Sequence, residues 1–237
     1  MNDSRLVLAL DLPTLAEARA LALATRDAVG MLKVGLELFI DEGPRAVALG
    51  EEVRRPVFLD LKLHDIPETV ERAVARAAAM GARMLTVHAS GGPAMLRRAV
   101  ERARREGTDL EIVAVTVLTS LDWGDLAAIG VTGDLASQVE RLARLAYGEG
   151  VRAFVCSPHE ASRLRTALGP GATLITPGVR AAGAAGRDDQ KRTMSAADAV
   201  AAGAGWVVVG RPIRDAQDPR AAADAIAREV DEARGRR

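Results

Sequence analysis

Short apolar runs alternate with helical stretches along this chain, and this alternation is the feature that most limits its possible folds. Eight apolar runs have the length of strands and lie at 6–11, 31–36, 56–62, 83–88, 110–117, 152–156, 172–176 and 206–210. Stretches rich in Ala, Leu, Arg and Glu lie at 14–28, 43–54, 67–80, 93–106, 137–149, 159–168, 195–203 and 219–234. Strands that alternate with helices through short connections form parallel sheets with right-handed crossovers.

The number of these units predicts how the sheet is arranged. Eight strand and helix units close naturally into a (β/α)8 barrel, and such a barrel commonly contains about 250 residues in one domain. The chain has 237 residues, so we predict a single α/β domain over 1–237, a (β/α)8 TIM barrel. An open, doubly wound sheet is the alternative, but Asp11-Leu12-Pro13 follows the first run where such sheets carry Gly-x-Gly-x-x-Gly.

Charge and composition argue against two classes of partner. The formal net charge is zero and aromatic residues make up 3% of the chain, so it lacks the basic stripe and the stacking rings typical of nucleic-acid binding. No apolar run reaches the length of a membrane span, and no basic leader precedes the first apolar run. We expect a soluble, cytoplasmic protein with no nucleic-acid or membrane partner.

Polar residues gather at the C-terminal ends of the predicted strands. Barrels of this class build their active sites at that end, from the strand ends and the loops that follow them. A ring of charged, hydroxyl and imidazole side chains there predicts a site for a small molecule. The members of this ring are Asp11, Lys33, Asp60, Lys62, His88, Thr116, Thr119 and Arg211.

The segment Asp60-Leu61-Lys62-Leu63-His64-Asp65 is the most specific part of this ring. Side chains alternate along a strand, so Asp60 and Lys62 are predicted to point to the same face, with Asp65 in the turn that follows. Nearby carboxylates favour the charged form of a lysine even when it is partly desolvated. The pattern therefore predicts that Lys62 is a positioned proton donor.

The few lysines of the chain bear on both catalysis and metal binding. Among the 32 basic residues only Lys33, Lys62 and Lys191 are lysine, which indicates that a guanidinium cannot replace the first two. Asp60 and Asp65 could bind magnesium. Lys62 lies between them, however, and with Lys33 it supplies the positive charge that a cation would bring, so we predict no metal.

The loops after the last two strands are the common position for phosphate in this architecture. Thr176-Pro177-Gly178-Val179-Arg180 ends the seventh strand, and a Gly and Ala-rich stretch at 181–186 fits a mobile lid. Gly210 and Arg211 follow the eighth strand and offer an amide and a guanidinium. Together with Gln190, they are predicted to bind a phosphate group.

Six motifs along the chain occur together in one order. They are Leu32-Lys33-Val34-Gly35, Asp60-Leu61-Lys62-Leu63-His64-Asp65-Ile66-Pro67-x-Thr69, His88-Ala89-Ser90-Gly91-Gly92, Val117-Leu118-Thr119-Ser120, Thr176-Pro177-Gly178-Val179-Arg180 and Gly210-Arg211-Pro212. Through these motifs and their order the chain resembles, over nearly its whole length, the orotidine 5′-phosphate decarboxylase family. The resemblance implies a homodimeric carboxy-lyase of pyrimidine biosynthesis that converts orotidine monophosphate to uridine monophosphate and carbon dioxide without a cofactor.

The resemblance also implies a role for each matching residue. Lys62 would protonate C6 of the pyrimidine, Asp60 would lie beside the departing carboxylate, and Lys33 would complete the charge array and contact the ribose. Asp65 and Thr69 would reach into the site of the partner subunit. The remaining substrate contacts would be Asp11 to the ribose, Thr119 or Ser120 to the pyrimidine, and Arg180, Gln190, Gly210 and Arg211 to the phosphate and its lid.

Two other functions remain as alternatives. A metal-dependent sugar-phosphate lyase or aldolase of the same barrel superfamily shares an Asp-x-Lys-x-x-Asp pattern, but such relatives use a glutamate for magnesium at the second strand, where this chain has Lys33. The other alternative is a non-catalytic barrel that binds a phosphate ligand. The intact triplet of Asp60, Lys62 and Asp65 argues against it.

Overall fold

A closed barrel of eight parallel strands forms the centre of the computed structural model, which describes residues 3–180 and 194–236. The strands of the described chain are β1 (Leu6–Ala9), β2 (Met31–Val34), β3 (Val57–Leu63), β4 (Met84–His88), β5 (Glu111–Val115), β6 (Ala153–Val155), β7 (Thr173–Thr176), β8 (Val179–Arg180), β9 (Met194–Ser195) and β10 (Trp206–Val209). The barrel order is β1-β10-β7-β6-β5-β4-β3-β2, while β8 and β9 form a small parallel sheet of their own. The predicted (β/α)8 barrel is confirmed, and each of the eight predicted strands is present.

Helices follow the barrel strands and cover the outside of the sheet. They are α1 (Leu15–Thr25), α2 (Leu36–Glu42), α3 (Pro44–Val53), α4 (Pro67–Ala79), α5 (Gly92–Arg105), α6 (Trp123–Ala128), α7 (Leu135–Gly148), α8 (Pro158–Leu168), α9 (Ala196–Ala202), α10 (Arg211–Arg214) and α11 (Pro219–Gly235), with one turn of 3₁₀ helix at Ala89–Gly91. Several begin at ordinary start signals. Thr14, for example, accepts a hydrogen bond from the Glu17 amide at the start of α1.

Three short helices, α2, α6 and α10, were not predicted. Each lies in a connection after a barrel strand, at the C-terminal end of the barrel. They contain four to seven residues, which is too short to show a helical period in the sequence. Local signals start them instead: Asp122 and Asp125 form a reciprocal capping box at α6. These helices shape the rim of the barrel mouth.

The barrel interior and the space under the helices form two apolar layers. Strand alternation sends one set of side chains inward, where they pack together: Val7, Ala9, Met31, Phe58, Met84, Val113, Ala153, Ile175 and Val208. The other set packs against the helices in a much larger cluster. The inward positions that follow Met31, Phe58 and Met84 are the places where polar side chains can stand above an apolar floor.

Within residues 3–180 and 194–236, none of the helices combines the length and the apolar character needed to cross a membrane. The assignment of the whole chain to one domain stays a prediction.

Candidate active site

A row of alternating charges stands on the inner face of β2 and β3 at the mouth of the barrel. Lys33 lies two residues after the inward-facing Met31, and Asp60 lies two residues after the inward-facing Phe58. Lys62 Nζ lies 2.9 Å from both carboxylate oxygens of Asp60. Lys33 Nζ lies 3.5 Å from Asp60 Oδ2. Asp60 therefore holds two ammonium groups at once.

Asp11 extends this row at the end of β1. Its Oδ1 accepts a hydrogen bond of 2.9 Å from Lys33 Nζ. Lys33 and Asp60 expose only 12% and 13% of their side chains, whereas Asp11 exposes 50%. The array thus alternates as acid, base, acid, base from Asp11 to Lys62, and its two middle members are largely shielded from water.

The charges hold one another in their ionised forms. Burial by itself would raise the pKa of Asp60, but Lys33, Lys62 and the hydrogen bonds to its oxygens outweigh burial and lower that pKa. Burial would likewise lower the pKa of Lys33, and the carboxylates of Asp60 and Asp11 raise it instead. Asp60 is consequently an anion and Lys33 a cation near neutral pH.

Lys62 reaches Asp60 through an irregular strand, which differs from the regular alternation predicted from the sequence. Leu59 pairs with Leu85 of β4, but Leu63 pairs with Val87, so the register shifts between these two pairs. The backbone φ of Lys62 is +51°, in the left-handed region that is uncommon for a residue other than glycine. The predicted proximity of Asp60 and Lys62 is present, and the two residues lie within a bulge in β3.

A cavity of about 990 Å³ opens directly above this array, as bounded by the described residues. Its size matches that of pockets for small ligands. Its floor is partly apolar, with Phe58 and Val155, and Thr119 and Ser120 place hydroxyl groups at its wall. Gly210 and Arg211, after β10, line it as well. The cavity therefore combines a cationic and anionic floor with apolar surface and donors for an anion.

Gly35 fits tightly against the outer half of the array. A Cβ atom at this position would lie 2.9 Å from Asp11 Oδ1 and 3.1 Å from Lys33 Nζ. Both distances are shorter than ordinary van der Waals contacts, so a larger residue would have to displace the Asp11 and Lys33 pair. The absence of a side chain at Gly35 thus lets the ends of two charged side chains approach the backbone closely.

A sequence model described as "Orotidine 5′-phosphate decarboxylase / HUMPS family" matches residues 4–226 of this chain. The chain belongs to this family. The decarboxylase family proposed from the sequence motifs is therefore confirmed.

Named decarboxylases are similar to the chain over almost its full length. The orotidine 5′-phosphate decarboxylase of Anaeromyxobacter sp. (strain K) is 56% identical over 225 residues, which are 95% of this chain and 97% of that protein. The corresponding protein of Thermobifida fusca (strain YX) is 50% identical over 226 residues, which are 95% of this chain and 95% of that protein. These relatives give no support to the sugar-phosphate lyase or aldolase.

The fold of this chain is also similar to that of a decarboxylase whose structure has been solved. The crystal structure of orotidine 5′-phosphate decarboxylase from Lactobacillus acidophilus superposes with a TM-score of 0.84 at 32% identity, over 96% of this chain and 99% of that one. The similarity in fold thus extends over the whole barrel.

The structure of this family member brings together most of the residues singled out in the sequence. Those that line the cavity are Asp11, Lys33, Asp60, Lys62, Thr119, Ser120, Gly210 and Arg211. Arg180 lies in β8, where its backbone pairs with Ser195. Gln190 and the lid segment at 181–186 lie outside the described residues.

Asp65 and Thr69 do not line the cavity of their own chain, as the described residues bound it. Both residues are exposed. Asp65 Oδ1 accepts a hydrogen bond of 2.6 Å from the Ile66 amide. No ion pair within the described residues joins Asp65 to Lys62, whose carboxylate partner is Asp60. Among the described residues of one chain, Lys62 therefore pairs with Asp60 alone, and the predicted triplet with Asp65 is not formed.

Two residues at the site were missed in the sequence. Arg214 lines the cavity and donates a hydrogen bond of 2.8 Å from Nη1 to the Asp11 carbonyl. It lies three residues after Arg211, one turn along α10, and that spacing is the signal that could have revealed it. Thr86, on β4, donates to Asp60. Its sequence surroundings are those of an ordinary buried strand, and nothing in them marks the contact.

In the part of the chain that the structure describes, no group of three or more His, Cys, Asp or Glu side chains is arranged to hold a metal ion.

Proposed function

We propose that this chain converts orotidine monophosphate to uridine monophosphate and carbon dioxide without a cofactor, and that Lys62 protonates C6 of the pyrimidine. The observation that carries the proposal is the array of Lys33, Asp60 and Lys62 on the floor of a cavity large enough for a nucleotide. The family match supports the reaction class, and the geometry supports the assignment of the residues.

The chemistry needs positive charge close to the reacting carbon. When the bond between C6 and the carboxylate breaks, carbon dioxide leaves and the electron pair stays on C6. That carbanion cannot delocalise into the ring carbonyls, so a fixed cation beside it lowers the barrier. The Lys62 ammonium supplies this charge and then transfers a proton to C6, after which the neutral amine recovers a proton from solvent.

Asp60 keeps the donor in place for this transfer. Its two oxygens both lie 2.9 Å from Lys62 Nζ, which fixes the ammonium before substrate enters. Preorganised charge needs no reorientation during the reaction and is therefore more effective than charge in water. Asp60 would lie beside the substrate carboxylate, and Lys33 would complete the array.

The remaining cavity residues fit the parts of a nucleotide. We assign Asp11 and Lys33 to the ribose hydroxyls, because this hydrogen-bonded pair forms one end of the array and Asp11 is its most exposed member. The hydroxyls of Thr119 or Ser120 would bind the pyrimidine ring. The phosphate would be held by Arg180, Gln190, Gly210 and Arg211. Remote phosphate contacts can contribute to the rate because their binding energy helps to organise the closed site.

We also propose a homodimer in which Asp65 and Thr69 complete the partner's site. Both residues are exposed at the barrel mouth and do not line the cavity of their own chain. Two apolar side chains in the connections after β2 and β3 are also exposed: Ile66 at 66% and Ile40, in α2, at 80%. Burial of such side chains against a second copy would be favourable. The cytoplasmic location stays a prediction.

The test is the ultraviolet absorbance change of orotidine monophosphate with purified protein in buffer that contains a chelator. We expect turnover by the native chain and a loss of at least about 1000-fold in kcat for Lys62→Ala, because general acid catalysis and charge stabilisation are both removed. Lys62→Arg is the matched control, since it keeps a positive charge on a group that does not release its proton.

The affinity for uridine monophosphate distinguishes a variant that has lost catalysis from one that has lost its folded site. We expect both Lys62 variants to retain nucleotide affinity within about tenfold, because the phosphate contacts lie on other strands. Near-native turnover by Lys62→Ala would refute the role of Lys62. Turnover by the native chain that stops in chelator would point to the metal-dependent lyase class.

A further inference from the structure

A single threonine faces the bulge that carries the two central charges of the array. Between the pairs Leu59 with Leu85 and Leu63 with Val87, β3 contains Asp60, Leu61 and Lys62, whereas β4 contains Thr86 alone. Thr86 is completely buried, with 0% of its surface exposed. It is therefore the residue of β4 that must satisfy the backbone of the bulge.

The Thr86 hydroxyl contacts both charged residues. Oγ1 accepts a hydrogen bond of 2.7 Å from the Lys62 backbone amide and donates one of 3.0 Å to Asp60 Oδ1. A hydroxyl has one proton to donate and lone pairs that accept. Because the amide can only donate and an ionised carboxylate can only accept, the direction of both bonds is fixed.

These two hydrogen bonds stabilise two features of the bulge, the backbone of Lys62 and the carboxylate of Asp60. Lys62 has a left-handed backbone, with φ of +51°, which is sterically disfavoured for a side chain with a Cβ atom. Such a conformation persists only where its surroundings hold it. The hydrogen bond from the Lys62 amide to Thr86 Oγ1 holds this backbone conformation. The hydrogen bond from Thr86 to Asp60 fixes the plane of the carboxylate that accepts from Lys62 Nζ.

We propose that Thr86 is a positioning residue for the reaction, because its hydroxyl fixes the backbone of the proton donor and the carboxylate that anchors it. The inference rests on the proposed function of Lys62. Thr86 is not among the described residues that line the cavity, so it acts through Asp60 and Lys62 and not by contact with substrate. A hydroxyl that merely satisfied a buried amide would affect stability alone.

The experiment compares Thr86→Val, which is close in shape but lacks the hydroxyl, with Thr86→Ser, which keeps it. We expect Thr86→Val to lower kcat about 10- to 100-fold, because displacement of a catalytic group by about 1 Å can lower the rate by that factor. KM and the affinity for uridine monophosphate should stay within about threefold of native. Thr86→Ser should recover kcat to within about threefold of native.

Thr25→Val is the matched control for the loss of a buried threonine hydroxyl. Thr25 is 1% exposed and donates to the Leu21 carbonyl within α1, away from the site. We expect it to keep native kcat even if its melting temperature falls. Native kcat in Thr86→Val, or a Thr86→Ser variant no more active than Thr86→Val, would overturn the inference.

Hydrogen exchange of the Lys62 amide tests the contact without relying on activity. In the native protein we expect this amide to exchange at least about 100-fold more slowly than an exposed one, and Thr86→Val should remove the protection. Fast exchange in the native protein would overturn the inference even if Thr86→Val fails to fold. If the native chain does not turn over orotidine monophosphate, the proposed function fails by itself, and protection of the amide would still identify the contact.

Discussion

Each charge at the centre of the barrel mouth is held by another charge within hydrogen-bonding reach. Lys33 contacts both Asp11 and Asp60, and Asp60 contacts both lysines. Removal of one member of a buried pair typically costs about 3–5 kcal/mol, because an uncompensated charge is left behind. The contacts that are proposed to prepare the site for a carbanion therefore also maintain the fold around it.

Gly35→Ala tests how closely the outer pair must be placed. The added Cβ would meet Asp11 Oδ1 at 2.9 Å and Lys33 Nζ at 3.1 Å, so we expect it to push the pair apart. Displacement of positioning groups by a fraction of an ångström to 1 Å lowers rates by up to about 100-fold. Steady-state kinetics should show kcat/KM reduced about 10-fold or more, with the fold retained by circular dichroism.

Gly148→Ala is the control for this substitution. Gly148 is the last residue of α7, and a Cβ there would meet nothing within 4 Å. We expect native kcat/KM for this variant. Equal activity of the two alanine variants would mean that the Asp11 and Lys33 pair tolerates displacement.

Residue types predicted the charges of the site but not all of their contacts. Lys33 and Lys62 could be recognised because lysine is rare in this chain, and Asp60 because it lies with Asp65 on either side of Lys62. Thr86 could not, because a threonine in an apolar strand is typical of any buried sheet. Its importance follows from the register of β3 against β4, which is a property of two strands and not of one residue.

At the scale of elements, the ends of β3 and β4 bring two histidines together. The rings of His64 and His88 have centroids 5.4 Å apart and are tilted by 43°. Burial lowers the pKa of His88, and His64 and Lys62 lower it further, while Asp60 opposes them. Protonation of His88 is therefore less favourable in the folded chain than in the unfolded one.

This pKa difference predicts how stability depends on pH. The unfolded chain binds a proton at His88 near the ordinary histidine pKa of about 6.5, before the folded chain does. Stability is therefore fully present above about pH 6.5 and is lost as the pH falls through the lower folded pKa. Denaturant unfolding at about pH 8 and at about pH 5 should show a smaller difference for His88→Asn than for the native chain.

His64→Asn provides the intermediate case. It removes one of the groups that lower the pKa of His88, so part of the pH dependence should disappear with it. An unchanged pH dependence in both variants would show that other groups control acid stability.

Long elements were easier to predict than short ones. The eight strands and the longer helices show clear apolar runs or helical periods. The short helices α2, α6 and α10 do not, because fewer than about two turns cannot display a period. Yet Arg211 and Arg214 line the cavity from α10, so the rim depends on the elements that sequence periodicity describes least.

At the scale of the whole molecule, we propose that a second chain completes the site. If Asp65 and Thr69 act on the partner's substrate, Asp65→Ala and Lys62→Ala homodimers are both inactive for different reasons. A mixed dimer then contains one site with both defects and one site with native Lys62 and native Asp65. Random mixing should restore about a quarter of native activity, because half of the dimers are mixed and each has one intact site.

The rescue is measured after the two variants are unfolded together and refolded, with dimer composition verified by mass. Each variant refolded alone is the control and should stay inactive. If α2 belongs to the proposed dimer contact, Ile40→Glu should reduce both dimer content and activity, because the 80% exposed Ile40 would be buried there against the second chain. Verified mixed dimers without activity would show that each site is built within one chain.

The sequence by itself determined the barrel and the chemical nature of its site. Apolar periodicity reports local burial, and eight repeated units with polar residues at the same strand ends leave few other architectures. The tertiary structure decided the rest: the bulge that contains Asp60 and Lys62, the Thr86 hydroxyl between them, and the absence of Asp65 from the described lining of its own cavity. The physical reason is that strand register and contacts across strands depend on residues far apart in the chain, whose pairing no local pattern contains.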